Sequence, residues 1–325
     1  MIEVKQVTKV FGETVAVDHA SFEVEQGRVV GFLGPNGAGK TTTLRILTCF
    51  MPPTSGSAVV DGHNVSTDSI AVRRVIGYLP ETVPLYPEMR VREFLNYRAR
   101  LKGVRRADRR KRVEDIIHRC RIDDVARRIT GQLSRGYRQR VGIADALVGD
   151  PKIIILDEPT LGLDPNQIRE TRKLIKDLGR DHTVLLSTHI LPEVEMVCDE
   201  VVVIHEGRIA ARGTLGELRQ KLTADGGRIY LEVKGPVDEI RKSIAAITGV
   251  RNVQHQTDRD RLRRFVVETA GSADVREQIF DRAVRSGWKI VEMHTALATL
   301  EDIFTHITAG GRPGEHEAER GGPSE

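Results

Sequence analysis

The feature that most constrains the fold is the run GPNGAGKT at residues 34–41. An apolar segment typical of a buried strand, Val29–Leu33, comes directly before it, and a helical pattern follows over residues 41–48. Glycine permits tight turns and positive φ angles, so the run predicts a loop that wraps closely between a strand and a helix. A strand, a glycine-rich loop and a helix in this order predict an α/β domain built on a parallel sheet.

This loop also predicts a ligand, because it fits the pattern G-x-x-x-x-G-K-[ST]. Backbone N–H groups of such a loop, and the N-terminus of the helix after it, point at phosphate oxygens. Lys40 would reach the β- and γ-phosphates of a nucleotide, and the Thr41 hydroxyl would bind Mg²⁺. The residues predicted to contact the nucleotide here are Gly34, Pro35, Asn36, Gly37, Ala38, Gly39, Lys40, Thr41 and Thr42.

Two carboxylates follow a second strand pattern, IIILDE at residues 153–158. Four consecutive apolar residues are typical of a strand that is buried on both faces, and ligands of parallel sheets bind beyond the carboxyl ends of the strands. Asp157 would hold Mg²⁺, and Glu158 would orient or deprotonate the attacking water. The alternative, a solvated acidic turn, fits poorly because acidic pairs seldom end a fully buried strand without a function.

Two further apolar strand patterns end close to Glu81 and His189. A histidine considered alone is more often a structural residue than a catalytic one. Here His189 is predicted to emerge at the same sheet edge as Lys40 and Glu158, and this convergence favours a catalytic role.

Several other segments resemble the motifs of ATP-binding cassette (ABC) proteins, in the order that this family shows. LSRGY at residues 133–137 resembles the LSGGQ signature, and LGLD at residues 161–164 resembles the D-loop. STH at residues 187–189 resembles the segment that carries the switch histidine, and Phe11 matches the aromatic residue that stacks on adenine.

The resemblance implies an ATPase that works as a head-to-tail dimer with two ATP molecules at its interface. Ser134 and Gly136 of one subunit would close over the γ-phosphate bound by Lys40 of the other, and Asp164 would contribute from the D-loop. A helical pattern after Ser134 agrees with this, because a helix N-terminus favours an anion. Hydrolysis would open the dimer and drive a membrane-spanning permease subunit on another chain. The second cassette is expected to be another copy of this chain.

Details narrow the resemblance further. YLPE at 78–81, GYRQRVG at 136–142 and LDPNQ at 163–167 are similar to the gliding-motility-associated ABC ATPase and its relatives. TLEDIF at 299–304 is similar to a segment that closes many ATPase subunits of ABC-2-type exporters. The family implies an exporter, and the fold alone would not identify a substrate.

The chain departs from the family pattern at two places. Glu81 stands where most members have glutamine, and its carboxylate is still expected to coordinate Mg²⁺ and sense the γ-phosphate. Arg135 and Tyr137 differ from the LSGGQ signature, but Ser134 and Gly136 are kept. We therefore expect an intact hydrolytic site.

The domain organisation follows from changes in pattern along the 325 residues. We predict an ABC cassette over residues 1–222, with a parallel sheet core, an antiparallel β subdomain and a helical subdomain. Residues 228–307 follow the order β-α-β-β-α-β of a ferredoxin-like α+β domain, with a last amphipathic helix around residues 300–307. The segment 309–325 lacks large apolar residues and is expected to be a disordered tail.

Composition excludes several other classes of protein. No apolar run reaches the 18 or more residues that span a bilayer, so we expect a cytoplasmic protein that reaches the inner membrane through its partner. The N-terminus carries Glu3, Lys5 and Lys9 and does not resemble a signal peptide. The three cysteines are widely spaced, which favours reduced, space-filling thiols.

The stretch at residues 98–112 is strongly basic, with Asp108 as its one acidic residue. It could contact nucleic acid, form a solvated helix face, lie near anionic lipid or dock the membrane partner. Nucleic acid is the least favoured, since Tyr97 is the single nearby aromatic residue. The alternative function is an ABC-type ATPase of translation or DNA repair, but such relatives usually carry two cassettes or a long coiled coil.

Overall fold

The computed structural model describes residues 1–218, 220, 227–256, 262–270 and 274–296. The chain forms two compact units, Met1–Thr214 and Leu215–Glu325. The predicted helix around residues 300–307 and the predicted tail at 309–325 lie outside the described residues. The limits 1–222 and 228–307 remain predictions for the two domains.

The centre of the first unit is a sheet with the strand order β10-β9-β3-β8-β7-β6. Its strands are β3 (Val29–Leu33), β6 (Ile76–Leu79), β7 (Ile153–Asp157), β8 (Thr183–Thr188), β9 (Glu200–His205) and β10 (Arg208–Thr214). Strands β3, β6, β7, β8 and β9 run parallel, and β10 pairs antiparallel to β9 at the edge. Every residue of β3 and of β7 is buried, as expected for parallel strands covered on both faces.

A second, antiparallel sheet has the order β2-β1-β4-β5. It comprises β1 (Ile2–Phe11), β2 (Thr14–Val24), β4 (Ser55–Val60) and β5 (His63–Asn64). Strand β2 alternates buried and exposed residues over its second half, so one face packs inward. That face shares a core with the central sheet, where Phe22 meets Phe32 with ring centroids 5.2 Å apart.

Helices complete the cassette. They are α1 (Lys40–Leu47), α2 (Ser69–Val75), α3 (Val91–Leu101), α4 (Arg106–Arg119), α5 (Arg135–Leu147), α6 (Pro165–Leu178) and α7 (Leu191–Val197). Helices α3, α4 and α5 share one apolar core with β7 and β8, which gives the predicted helical subdomain. No helix among the described residues is long and apolar enough to cross a membrane.

The basic stretch lies on α3, on α4 and on the turn between them. Arg98 Nε donates to Asp145 Oδ1 at 2.6 Å, and Arg112 Nη1 donates to Asp150 Oδ1 at 2.9 Å. Part of the positive charge is therefore neutralised within the cassette itself.

The second unit has the predicted ferredoxin-like element order. It comprises β11 (Arg228–Lys234), α8 (Val237–Ala245), β12 (Val250–His255), β13 (Arg263–Thr269), α9 (Arg276–Ser286) and β14 (Lys289–Ala296). These strands form an antiparallel sheet in the order β12-β13-β11-β14. Inward residues of β11 alternate along the strand and pack with Ile240 and Ile279 of the two helices. The α/β cassette followed by a small α+β domain confirms the predicted fold class.

Candidate nucleotide-binding and hydrolysis site

The carboxyl ends of three adjacent strands bring the predicted site residues together. Strand β8 lies between β3 and β7, and its last residues pair with Leu33 of β3 and Asp157 of β7. The loop after β3 and the residues after β7 and β8 therefore meet at one edge. A cavity of about 390 Å³ opens there. Its lining residues are Ala16, Asn36, Gly37, Gly39, Lys40, Thr41, Thr42, Glu81, Glu158, Leu161 and His189.

The loop after β3 needs its glycines at two positions. Gly39 has φ +101°, and a Cβ atom on it would lie 2.5 Å from the carbonyl oxygen of Ala16. A Cβ atom on Gly34 would lie 2.4 Å from the carbonyl oxygen of Ile204. Both contacts are with backbone atoms, which have little room to move. Only glycine therefore lets the loop curl tightly enough to turn its N–H groups toward a ligand.

Lys40 begins α1 and is 6% exposed. Its Nζ atom donates to the carbonyl oxygens of Gly34 at 2.8 Å and Pro35 at 3.1 Å. The same atom lies 3.4 Å from Glu158 Oε1. A buried ammonium group requires such oxygen partners, and phosphate oxygens are of the same chemical kind. The lysine is held at the floor of the cavity, where an anionic ligand would be bound.

Asp157 offers a position that fits a cation. Its Oδ1 atom accepts from the Ser187 hydroxyl at 2.5 Å and from the Thr41 hydroxyl at 3.4 Å. Its Oδ2 atom is buried and has no hydrogen-bond partner. A buried carboxylate oxygen without a partner is unfavourable, and a divalent cation would satisfy it. Carboxylate and hydroxyl oxygens are the ligands that Mg²⁺ prefers, so this donor set fits the ion.

Glu158 adopts a left-handed backbone conformation, with φ +48°, directly after the end of β7. Its N–H group donates to the Ser187 hydroxyl at 3.0 Å. Its Oε2 atom lies 2.9 Å from His189 Nδ1, while Oε1 faces Lys40. Left-handed conformations of residues other than glycine are strained and occur often at functional sites. The strained turn directs this carboxylate into the cavity beside the lysine and the histidine.

Glu81 lies on the cavity wall just beyond β6 and is exposed. Tyr78, on β6 itself, is influenced by the same group of acids. Burial, with a smaller contribution from the negative charges of Asp157 and Glu81, raises the pKa of Tyr78 from 10.0 to about 12. The shift therefore reflects the low polarity around Tyr78 and its closeness to these two carboxylates.

Four predicted residues belong to other segments, namely the end of β1 and the N-termini of α5 and α6. Phe11 is 47% exposed at the end of β1, with Lys9 Nζ 5.3 Å from the centre of its ring. Ser134 caps α5 by accepting from the Tyr137 N–H at 3.4 Å, and Asp164 caps α6 by accepting from the N–H groups of its first turn. Gly136 and the other three are not among the lining residues of this cavity. That Ser134, Gly136 and Asp164 act on the nucleotide of a second subunit, and that Phe11 stacks on adenine, remain predictions.

The interaction partners of Asp157 and Glu158 were not predicted from sequence. Ser187 bridges Asp157 and the Glu158 N–H, and Ala16 and Leu161 line the cavity. Ser187 pairs directly with Asp157 in the ladder of β7 and β8. Aligning the ends of the two strand patterns could have placed this serine at the site, because adjacent parallel strands end side by side.

Comparison with known proteins identifies the family. The family model of ABC transporters matches residues 17–161. The bacitracin transport ATP-binding protein BcrA of Bacillus licheniformis is 32% identical over 317 residues, which are 97% of this chain and 99% of the relative. The chain belongs to the ATP-binding subunits of ABC transporters. The daunorubicin resistance ATP-binding protein DrrA3 of Streptomyces coeruleorubidus is 33% identical, with 96% of each chain covered.

Solved structures agree with this assignment of the cassette. The dimeric, post-hydrolysis structure of the ATP-binding cassette MJ0796, bound to ADP and Pi, has a TM-score of 0.61 and is 28% identical. The match covers 66% of this chain and 99% of the MJ0796 chain. This ABC subunit is therefore an ATPase, as its P-loop and acidic strand end predicted. These comparisons give no support to the alternative role in translation or DNA repair.

Proposed function

We propose that this ABC subunit hydrolyses Mg–ATP with Glu158 as the group that orients or deprotonates the attacking water. The observation that carries the proposal is the position of its carboxylate, 3.4 Å from Lys40 Nζ and 2.9 Å from His189 Nδ1. Lys40 would bind the β- and γ-phosphates, so a water held by Glu158 would be close to the γ-phosphorus. His189 would orient the Glu158 carboxylate through its Nδ1 atom.

Asp157, Thr41 and Glu81 would hold the magnesium ion at this edge of the sheet. The unpartnered Oδ2 atom of Asp157 supports this assignment, and the Thr41 hydroxyl already faces the same carboxylate. When bound, Mg²⁺ would neutralise phosphate charge and so assist phosphoryl transfer. Ser187 would keep Asp157 in place through the hydrogen bond to Oδ1.

The nucleotide site is proposed to be completed by a second copy of the chain in a head-to-tail arrangement. Ser134 and Gly136 lie at the N-terminus of the 13-residue helix α5, where N–H groups and the helix dipole favour an anion. Asp164 would contribute from the D-loop, and Phe11 would stack on adenine. The dimeric state of the MJ0796 cassette, similar over 66% of this chain, supports the pairing.

The ATPase is proposed to drive an ABC-2-type exporter through a membrane-spanning subunit on another chain. It would thereby lie at the cytoplasmic face of the membrane. Support comes from BcrA and DrrA3, whose names refer to bacitracin transport and daunorubicin resistance and which match nearly the whole chain. The proposed substrate is therefore an antibiotic-like compound, as bacitracin and daunorubicin are. The similarity to the gliding-motility-associated ATPase remains a prediction.

Affinity purification from native membranes tests the partner. We expect a polytopic membrane protein to co-purify with the tagged chain in roughly equal amount. Material that hydrolyses ATP but carries only ribosomal or DNA-associated proteins would contradict the transport role and leave the ATPase chemistry intact. As a control, the same purification from an untagged strain should not yield this membrane protein.

A further inference from the structure

A second buried carboxylate, Glu193, lies behind the hydrolytic site. It belongs to the first turn of α7, four residues after His189, and is 1% exposed. It does not line the nucleotide cavity. A carboxylate buried this deeply is unfavourable unless polar groups surround it. Its partners therefore indicate what it does.

The partners of Glu193 come from the two segments that carry Glu158 and His189. The Thr188 hydroxyl donates to Glu193 Oε2 at 2.8 Å, and the Thr160 hydroxyl donates to Oε1. Thr188 directly precedes His189, and Thr160 is two residues beyond Glu158. One carboxylate thus joins the end of β8 to the turn after β7.

Additional contacts make this junction rigid. The N–H group of Ile190 donates to the Thr188 hydroxyl at 3.0 Å, so the residues on both sides of His189 are tied to one oxygen atom. The N–H group of Leu163 donates to the carbonyl oxygen of Thr160 at 3.2 Å. Arg172 of α6 brings its Nη2 atom within 3.7 Å of Glu193 Oε1 and supplies a positive charge.

We propose that Glu193 is a positioning residue that fixes Glu158 and His189 relative to each other. One bond fastens the backbone segment that carries Glu158, and the other fastens the segment that carries His189. A shift of either segment would lengthen the 2.9 Å contact between Glu158 Oε2 and His189 Nδ1. Displacements of about 1 Å at reacting groups can reduce rates about 100-fold. The proposal rests on the catalytic roles proposed above for Glu158 and His189.

The alternative is that the cluster only packs the interior. The two roles make opposite predictions at Thr160. Valine keeps the shape of threonine but lacks the hydroxyl, whereas serine keeps the hydroxyl but lacks the methyl group. Positioning predicts that Thr160→Val lowers kcat at least about tenfold and that Thr160→Ser stays within about threefold of wild type. Packing alone predicts that Val resembles wild type and that Ser is the weaker variant.

A second pair of variants tests the carboxylate itself in the full-length chain. In Glu193→Gln one carboxylate oxygen becomes an NH₂ group, which cannot accept a hydrogen bond from the threonine hydroxyl that faces it. The change also removes the negative charge that faces Arg172. We expect kcat to fall at least about tenfold, with the KM for ATP changed less than about threefold, because Lys40 is held by other elements. Glu195→Gln, an exposed glutamate on the same helix, is the matched control and should leave both constants unchanged.

Binding of a fluorescent ATP analogue to each variant completes the test. Retained affinity with reduced kcat in both Thr160→Val and Glu193→Gln supports positioning. Wild-type kcat in Thr160→Val, or equal losses of affinity and turnover in Glu193→Gln, overturns it. If Glu158→Gln itself hydrolyses ATP normally, the proposed catalytic role fails first, so the two failures can be told apart.

Discussion

The central sheet of the cassette and the sheet of the C-terminal unit place their charged residues in opposite ways. At the edge of the central sheet, Lys40, Asp157 and Glu158 are buried and contact one another or their neighbours. In the C-terminal sheet, the core consists of apolar side chains, and the ion pair between Glu232 and Arg264 remains partly exposed. The first arrangement buries its charged side chains almost completely, whereas the charged side chains of this ion pair keep part of their surface in contact with water.

The difference shows how a site can be recognised without a ligand. Burial of a charge is unfavourable by several kcal/mol unless partners are present. The buried Oδ2 atom of Asp157 has no hydrogen-bond partner within the protein, and a bound cation would satisfy it. No group of three or more potential metal-binding side chains occurs in the described part of either unit. The proposed cation site is thus marked by one unsatisfied oxygen atom of Asp157 beside the Thr41 hydroxyl.

Among the variants that test the contrast between buried and partly exposed charges, Lys40→Ala is expected to have the largest effect, on nucleotide binding. The change removes the buried ammonium group that would bind the phosphates and leaves Glu158 without its cation. We expect no detectable binding of nucleotide at micromolar ATP, measured with a fluorescent analogue. Arg45→Ala on the same helix removes an exposed cation and should leave binding unchanged. Wild-type affinity of the Lys40 variant would rule out the proposed phosphate site.

A smaller effect, confined to stability, is expected from Phe265→Ala in the C-terminal unit. Phe265 is fully buried among apolar side chains, so its truncation should destabilise the unit by about 3–5 kcal/mol. The chain has one tryptophan, and Trp288 packs against this same core. Its fluorescence during urea unfolding therefore reports on the C-terminal unit.

The matched control is Phe280→Ala, which truncates an exposed phenylalanine of α9 and should change stability by less than about 0.5 kcal/mol. ATP hydrolysis in the absence of urea is expected to be unchanged in both variants, because the hydrolytic residues all belong to the first unit. A loss of turnover with Phe265→Ala would show that the C-terminal core supports the catalytic site.

The smallest effect concerns an exposed ion pair of the C-terminal unit. The Arg276 side chain lowers the pKa of Asp274 from 3.8 to about 2, chiefly through its hydrogen bonds to the carboxylate. The folded state therefore binds this proton more weakly than the unfolded chain. The associated stabilisation is present above about pH 4 and is lost as the pH falls through about 2.

We expect carboxyl-detected NMR to show a midpoint near pH 2 for Asp274 in the wild type. Arg276→Gln should move the midpoint upward toward 3.8, whereas Arg285→Gln, at the end of the same helix, should not move it. An unshifted wild-type midpoint would mean that the ion pair does not form in solution.

Much of the fold and part of the site could be predicted from the sequence. The strand, loop and helix around Lys40 were predicted because glycine spacing restricts the backbone there. Asp157 and Glu158 were predicted because a wholly apolar strand ends at them. A helical pattern was predicted after Ser134, and α5 begins directly at Arg135 because Ser134 caps it. Caps add a turn that hydrophobic periodicity does not reveal.

The supporting groups could not be predicted in the same way. The Ser187 hydroxyl bonds to Asp157 and the Glu193 carboxylate to Thr160, and these partners lie about 30 residues apart along the chain. Their roles depend on the register between β7 and β8 and on the direction of α7, which local patterns do not determine. Glu193 in particular reads as one polar position in a short helix, and its burial is visible only in three dimensions.

The central claim is that the Glu158 carboxylate orients or deprotonates the attacking water, and that ATP binding does not depend on this carboxylate. The direct test is Glu158→Gln, assayed for Mg–ATP hydrolysis and for ATP binding on the same preparation. We predict binding within about threefold of wild type and turnover reduced at least about 100-fold, the scale expected for a positioned base. Near-normal turnover with normal binding would contradict the claim and assign the hydrolytic step to another group.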